Sequence, residues 1–129
     1  MAEGKASGLK VLVADDHDDT RLLLRLLLEQ RGYRVAEAAD GVEAVETARR
    51  ECPDIVLMDL SLPKLDGLEA TRRIREDPQT RDALIVALTA HAEPQYRAAV
   101  SAAGVNAFVT KPVDFGWLAG LLGDLTEGK

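Results

Sequence analysis

The sequence predicts an α/β domain in which a five-stranded parallel sheet is sandwiched between helices. Three observations carry that expectation. Five short apolar segments alternate with five amphipathic ones, an order that specifies parallel strands joined by right-handed helical crossovers. The segment Ile55-Val56-Leu57-Met58 is apolar without interruption and is closed by Asp59, with Pro63 and Gly67 marking the loop beyond, as for a strand covered on both faces. The 129 residues, 47% hydrophobic and 29% charged, suffice for one core without disulfides.

Taken in order, residues 1–8 are small and polar and read as a flexible lead-in. Lys10 to Ala14 forms a strand that runs into Asp15-Asp16-His17-Asp18-Asp19. Asp18 or Asp19 suits the N-cap of a helix reaching about Gln30, which Gly32 stops. Tyr33 to Ala38 alternates like a half-covered strand near a sheet edge. Asp40-Gly41 turns the chain into a second helix, Val42 to Arg50, ended by Pro53. The strand at 55–59 follows, then a helix from about Asp66 to Arg75 carrying Leu68, Ala70 and Ile74. Leu84 to Leu88 makes the fourth strand and ends in Thr89. Pro94 stands in the first turn of the next helix, and Gly104 closes it. Ala107 to Thr110 is the fifth strand, ending at Lys111-Pro112, and the last helix spans Phe115 to Leu125. Trp117, Leu118, Leu121 and Leu122 stand at helical spacing and are expected in the core. The domain is expected to occupy residues 9–125, with 126–129 as a tail.

Composition excludes several functions. A net charge of −6 argues against unaided nucleic-acid binding, which needs clustered Lys and Arg. Arg49, Arg50, Arg72, Arg73 and Arg75 fall among acids on helical patterns and read as solvated faces. No apolar run approaches membrane-spanning length, and the first residues lack a secretory signal, so no membrane association and a cytoplasmic location are expected. The lone Cys52, at a helix end, reads as an inert thiol.

Four predicted strands end in polar groups: Asp15 and Asp16, Asp59, Thr89, and Lys111. Parallel strands point the same way, so these side chains converge on one edge of the sheet, where open α/β sheets place their ligands. A carboxylate such as Asp59 at the edge of a core costs several kcal/mol unless a cation or donors balance it. Three acids without a cation repel, so a metal or a proton is required, and all-oxygen ligation suits Mg²⁺. His17 beside the acid pair does not make a zinc site, since one histidine among carboxylates is a poor zinc ligand set. An ammonium and a hydroxyl are what the equatorial oxygens of a transferred phosphoryl group need. The site is therefore expected to hold a phosphoryl group on or beside a carboxylate.

These residues carry a family resemblance. Val13-Ala14-Asp15-Asp16, then Asp59-Leu60-Ser61-Leu62-Pro63-Lys64-Leu65-Asp66-Gly67, then Ala87-Leu88-Thr89-Ala90, then Lys111-Pro112, resemble the receiver domain of two-component response regulators. The likeness runs from about Leu9 to Leu125. It implies a flavodoxin-like, doubly wound fold with strand order 2-1-3-4-5, the order found in members of this family. It implies that Asp59 accepts a phosphoryl group from a phosphohistidine on a sensor histidine kinase or histidine phosphotransfer protein, and that the domain then signals to a downstream target protein. Asp16, Asp59 and the Ser61 backbone carbonyl would bind Mg²⁺, with Mn²⁺ as a substitute, while Asp15 holds a metal-bound water. Lys111 would pair with phosphoryl oxygens. Thr89 would swing to the phosphoryl group and Phe108 would follow it inward, a two-state switch.

Departures from the family pattern bear on rates. Phe108 lacks the hydroxyl of the tyrosine common at its position. Ser61 and His91 stand two residues past Asp59 and Thr89, positions that in the family tune phosphate lifetime, and His91 is expected to make dephosphorylation pH-dependent near neutrality. Lys111-Pro112 matches the family's cis peptide bond.

The first helix carries more leucines than one buried face needs: Leu22, Leu23, Leu24, Leu26, Leu27 and Leu28, against a narrow stripe of Arg21, Arg25 and Glu29. By the resemblance, Leu22 and Leu26 face outward and receive the phosphotransfer partner. Two alternatives stand beside a stand-alone receiver. One is a receiver fragment of a hybrid kinase or larger regulator. The other is a phosphatase or phosphotransferase turning over through an aspartyl phosphate; it fits less well, because haloacid-dehalogenase enzymes need an acid two residues past the nucleophile, where this chain has Ser61. A self-phosphorylating and self-dephosphorylating switch, and not a turnover enzyme, is expected.

Overall fold

A computed structural model describes residues 8–90 and 93–127. Its elements alternate strictly: β1 (Lys10–Ala14), α1 (Asp18–Gln30), β2 (Arg34–Ala38), α2 (Gly41–Glu51), β3 (Ile55–Asp59), α3 (Gly67–Glu76), β4 (Leu84–Thr89), α4 (Pro94–Ala103), β5 (Ala107–Thr110) and α5 (Phe115–Leu125). The five strands form one parallel sheet, as the alternation of segments predicts, in the order β2-β1-β3-β4-β5 that the family resemblance implies.

Strand side chains alternate between the two faces, and each face has its own helices. Val11, Val13, Ile55, Leu57, Val86 and Leu88 pack with Leu24 and Leu28 of α1 and Leu118 and Leu122 of α5. Leu12, Ala14, Val56, Met58, Ile85 and Ala87 pack with Ala44 and Val45 of α2, Ala70 and Ile74 of α3 and Val100 of α4. Every residue of β3 is buried, which explains its uninterrupted apolar run, whereas β2 at the sheet edge keeps three half-buried residues. Fully burying one leucine such as Leu57 stabilises the fold by about 1.5–3 kcal/mol, so these two layers dominate its energetics.

Helix ends follow local chemistry. Asp40 caps α2 and Asp66 caps α3, each carboxylate accepting the amide three residues on, from Glu43 and Glu69. At α1 the expected cap is displaced: His17 is the N-cap, with no side-chain cap bond, and Asp18 and Asp19 lie inside the first turn. The reason is Asp15, whose Oδ1 already accepts the His17 amide at 2.8 Å and sets where the helix begins. Trp117 is also corrected. It is 56% exposed, because the buried stripe of α5 runs through Leu118 and Leu122 and the indole falls off that stripe. Among the described residues, no helix is long and apolar enough to cross a membrane.

Candidate functional site

Register places the acids before any side chain is considered. Ala14 of β1 is the Cα partner of Met58 in β3, so the residues that follow, Asp15 and Asp59, leave the sheet in one row. Thr89 ends β4 opposite Thr110 of β5, and the Lys111 amide donates to the Thr89 carbonyl at 2.7 Å. Ligating atoms of Asp15, Asp16, His17 and Asp59 all lie within 4.8 Å of one another. The Lys111 ammonium reaches across to Asp59 Oδ2 at 2.7 Å, and the Lys111-Pro112 peptide bond is cis.

Burial makes this arrangement costly. The side chains of Asp15 and Asp59 are 0% and 1% exposed, while Asp16 and His17 stand at the rim. Asp59 Oδ1 accepts the Ser61 amide at 2.9 Å and Oδ2 takes the lysine, so both of its oxygens are satisfied. Asp15 Oδ1 accepts the His17 amide, but its Oδ2 is buried without a hydrogen-bond partner. Three carboxylates facing one ammonium leave two negative charges uncompensated, the deficit a divalent cation neutralises. A donor set of clustered carboxylates with an orphaned buried oxygen fits such an ion.

Supporting contacts lie one layer out. Arg21 donates from Nη1 to the Asp15 carbonyl at 2.7 Å, from Nε to Glu37 Oε1 at 3.0 Å and from Nη2 to Asp18 Oδ1 at 2.7 Å, tying the end of β1 to α1 and β2. Burial pulls the Arg21 pKa down, but its bonds to Asp18 and Glu37 outweigh that and hold it above the ordinary value. Gly67 lies against the backbone at the end of β3: a Cβ there would stand 2.6 Å from the Asp59 carbonyl oxygen and 2.7 Å from Leu60 Cα.

The remaining sequence candidates distribute as follows. Thr89 is buried at the end of β4. Phe108 is half-buried, and the Arg97 guanidinium sits 4.8 Å from its ring centroid. Leu22 and Leu26 are 50% and 48% exposed on α1. Pro112 borders a groove of about 370 Å³ that runs from Asp15 and Lys111 along Leu23, Leu24, Leu27, Val113 and Phe115. His91 lies outside the described residues. Sequence reasoning missed Arg97, Arg21 and Leu23. Arg21 reads as part of the polar stripe of the first helix, and nothing in the local pattern around Arg21 or Arg97 announces a partner on another element; Leu23 was one leucine in a surplus.

Fold and site together define a class: flavodoxin-like α/β proteins that work through carboxylates and a lysine at the sheet's carboxyl edge, with acids where dinucleotide-binding relatives of such sheets carry a glycine-rich turn. The family profile described as response regulator receiver domain matches residues 11–122, and the chain belongs to that family. It is thus a receiver domain, the phosphoacceptor module of two-component signalling.

Named relatives agree. The polar-differentiation response regulator DivK of Brucella anthropi is 33% identical over 103 residues, 80% of this chain and 84% of that protein. The CAI-1 autoinducer sensor kinase/phosphatase CqsS of Vibrio cholerae is 39% identical over 106 residues, 81% of this chain but only 16% of that larger protein. Among solved structures, the receiver domain of the sensor histidine kinase PA1611 from Pseudomonas aeruginosa PAO1 superimposes with a TM-score of 0.85 at 37% identity, covering 93% of this chain and 98% of that one. That structure holds a magnesium ion coordinated in its active site cleft.

Proposed function

We propose that Asp59 is the phosphoacceptor of this receiver and that Mg²⁺, held by Asp15, Asp16, Asp59 and the Ser61 carbonyl, shields the transfer. The observation that carries this reading is the pairing of buried Asp59 with Lys111 at 2.7 Å inside the carboxylate cluster, beside the unpartnered Asp15 Oδ2. In the transfer, the P–N bond of a partner phosphohistidine breaks as an O–P bond forms to Asp59, and the imidazole leaves with a proton from solvent. Lys111 then turns its ammonium from the carboxylate to phosphoryl oxygens, a point cation suited to that charge. The magnesium-bearing site of the PA1611 receiver supports the choice of ion.

Thr89 and Phe108 form the switch. Thr89 moves to the new phosphoryl group, and Phe108 gives up its half-exposed position under Arg97. The donor, a sensor histidine kinase or histidine phosphotransfer protein, docks on Leu22 and Leu26 and the adjoining groove next to Lys111. The receiver unit spans residues 9–125 and passes its signal to a downstream protein, not to a substrate turned over in solution. Ser61 and His91 set the lifetime of the phosphorylated state; a decay profile over pH left unchanged by His91→Ala would remove His91 from this account.

Incubation with Mg²⁺ and a small acyl phosphate, followed by intact mass, tests the central claim. One added phosphoryl group on the wild-type chain and none on Asp59→Asn is expected. An adduct that survives Asp59→Asn would exclude the site, and continuous release of phosphate from many small substrates would favour an enzyme.

A further inference from the structure

We infer that His17 is a further ligand of the cation held by the Asp15, Asp16 and Asp59 cluster, and that its imidazole shifts the site's preference from Mg²⁺ toward Ni²⁺. The inference rests on the metal-binding reading of that cluster. His17 Nδ1 lies 3.1 Å from Asp15 Oδ1 and 3.3 Å from Asp16 Oδ1. Adjacent donors around a six-coordinate ion with bonds of about 2.1 Å stand about 3.0 Å apart. The imidazole nitrogen is therefore spaced from each of the two carboxylate oxygens as a neighbouring donor of one coordination shell would be, and a ligating oxygen of Asp59 lies with them within 4.8 Å. Independently of the acids' number, Asp15 Oδ2 is fully buried with no donor, which itself points to a cation.

The backbone explains why this histidine faces the acids. His17 donates its amide to Asp15 Oδ1 and keeps an extended conformation as the residue before α1, with φ −89° and ψ 109°. The ring is thereby turned back over the strand end. Its side chain is 66% exposed, so ligation through Nδ1 leaves Nε2 in contact with water and needs no second buried partner. Imidazole suits ions such as Ni²⁺, whose affinity for mixed nitrogen and oxygen sites exceeds that of the earlier ions of the row, whereas Mg²⁺ keeps oxygen and water ligands.

The test uses the untagged full chain, whose only two histidines are His17 and His91. Calorimetric titration with Ni²⁺ and with Mg²⁺ compares wild type, His17→Ala, His91→Ala and Asp16→Asn. Ni²⁺ affinity is expected to fall at least about tenfold in His17→Ala, with Mg²⁺ affinity nearly unchanged. His91→Ala should leave both values where they are. Pulsed EPR of the Mn²⁺-loaded protein should show imidazole nitrogen coupling that disappears in His17→Ala. An unchanged Ni²⁺ to Mg²⁺ ratio overturns the assignment, as does nitrogen coupling that follows His91. A parallel rise of both affinities in His17→Ala also overturns it, since that would make the imidazole a competing counter-ion. Loss of both metals in Asp16→Asn alongside a neutral His17→Ala would sink the histidine and leave the cluster intact. Metal binding indifferent to Asp16→Asn would sink both.

Discussion

The Lys111 ammonium, carried by the segment after β5, stands 2.7 Å from Asp59 Oδ2 at the end of β3, and the carboxylate it meets is 1% exposed. A short, charge-assisted contact at a buried acid is both a restraint on Asp59 and a reserve of positive charge for an incoming phosphoryl group. Lys111→Ala is expected to slow adduct formation with an acyl phosphate by about 100-fold, the scale of removing one preorganised donor from a developing negative charge. Lys111→Arg should restore little of it, because a planar fork does not replace a point cation at this spacing. Time-resolved intact mass reads the rate, and a rate unchanged in Lys111→Ala would disprove the role.

The uncompensated charge of the cluster should appear as stability. In the proposed site Mg²⁺ is held by the folded carboxylates of Asp15, Asp16 and Asp59, which the unfolded chain does not bring together. At about 100 times its dissociation constant it should add about 2.7 kcal/mol to the unfolding free energy. A chelator should return the midpoint to its starting value, and Asp16→Asn should remove most of the increment. Equal melting curves with and without Mg²⁺ would count against metal binding here.

Much of this was legible because it depended on local pattern. The apolar run ending in Asp59 marks a doubly covered strand, and β3 is buried throughout. The caps at Asp40 and Asp66 sit where turn chemistry puts them. What escaped depends on contacts between elements distant in sequence. The stacking of Arg97 on Phe108 and the bonds of Arg21 to Glu37 join residues whose local patterns read only as solvated helix and strand. Trp117 was misplaced for a related reason: helical spacing groups it with Leu118 and Leu122, but only the sheet decides which side of α5 is covered. The orphaned Asp15 Oδ2 is a property of packing, to which sequence gives no access.

Gly67 tests how closely the end of β3 is held. A methyl group at this position meets backbone, the Asp59 carbonyl oxygen at 2.6 Å and Leu60 Cα at 2.7 Å, and backbone cannot rotate away. Gly67→Ala is expected to cost about 1–3 kcal/mol by overpacking and to slow labelling of Asp59. Gly120 on α5 is the control: a Cβ there has nothing within 4 Å, so Gly120→Ala should stabilise by up to about 1 kcal/mol through helix propensity. Chemical denaturation of the two variants separates them. Equal effects would mean that the approach of α3 to Asp59 is not tight.

Asp40 gives a pH-dependent term whose sign is fixed. The Glu43 amide, donating to Asp40 Oδ1 at 2.8 Å, holds this carboxyl below its ordinary pKa against the opposing effect of burial, with help from Lys64. A lowered folded-state pKa means that the cap stabilises above the unfolded value and is lost as pH falls through the folded one. Asp40→Ala should therefore cost about 1 kcal/mol at neutral pH. The gap to wild type should narrow as pH falls below the ordinary carboxylate range and close once pH has passed the lowered folded-state pKa. A gap that persists in acid would show that packing, not the charged cap, is what the variant removes.

The exposed leucines of α1 separate docking from chemistry. Leu22 and Leu26 are half-exposed and belong to neither core cluster, so Leu22→Glu with Leu26→Glu should fold normally and label with acyl phosphate at the wild-type rate. In the proposed docking mode, transfer from a phosphohistidine donor places the partner's surface against α1. Losing two apolar contacts of about 1.5 kcal/mol each should weaken it by at least about tenfold. The comparison is internal, because in the proposed mechanism both reactions end on the same Asp59. If both rates fall together, the substitutions have disturbed the site and not the interface. If neither falls, the donor approaches elsewhere, and the groove beside Leu23 and Pro112 becomes the next surface to change.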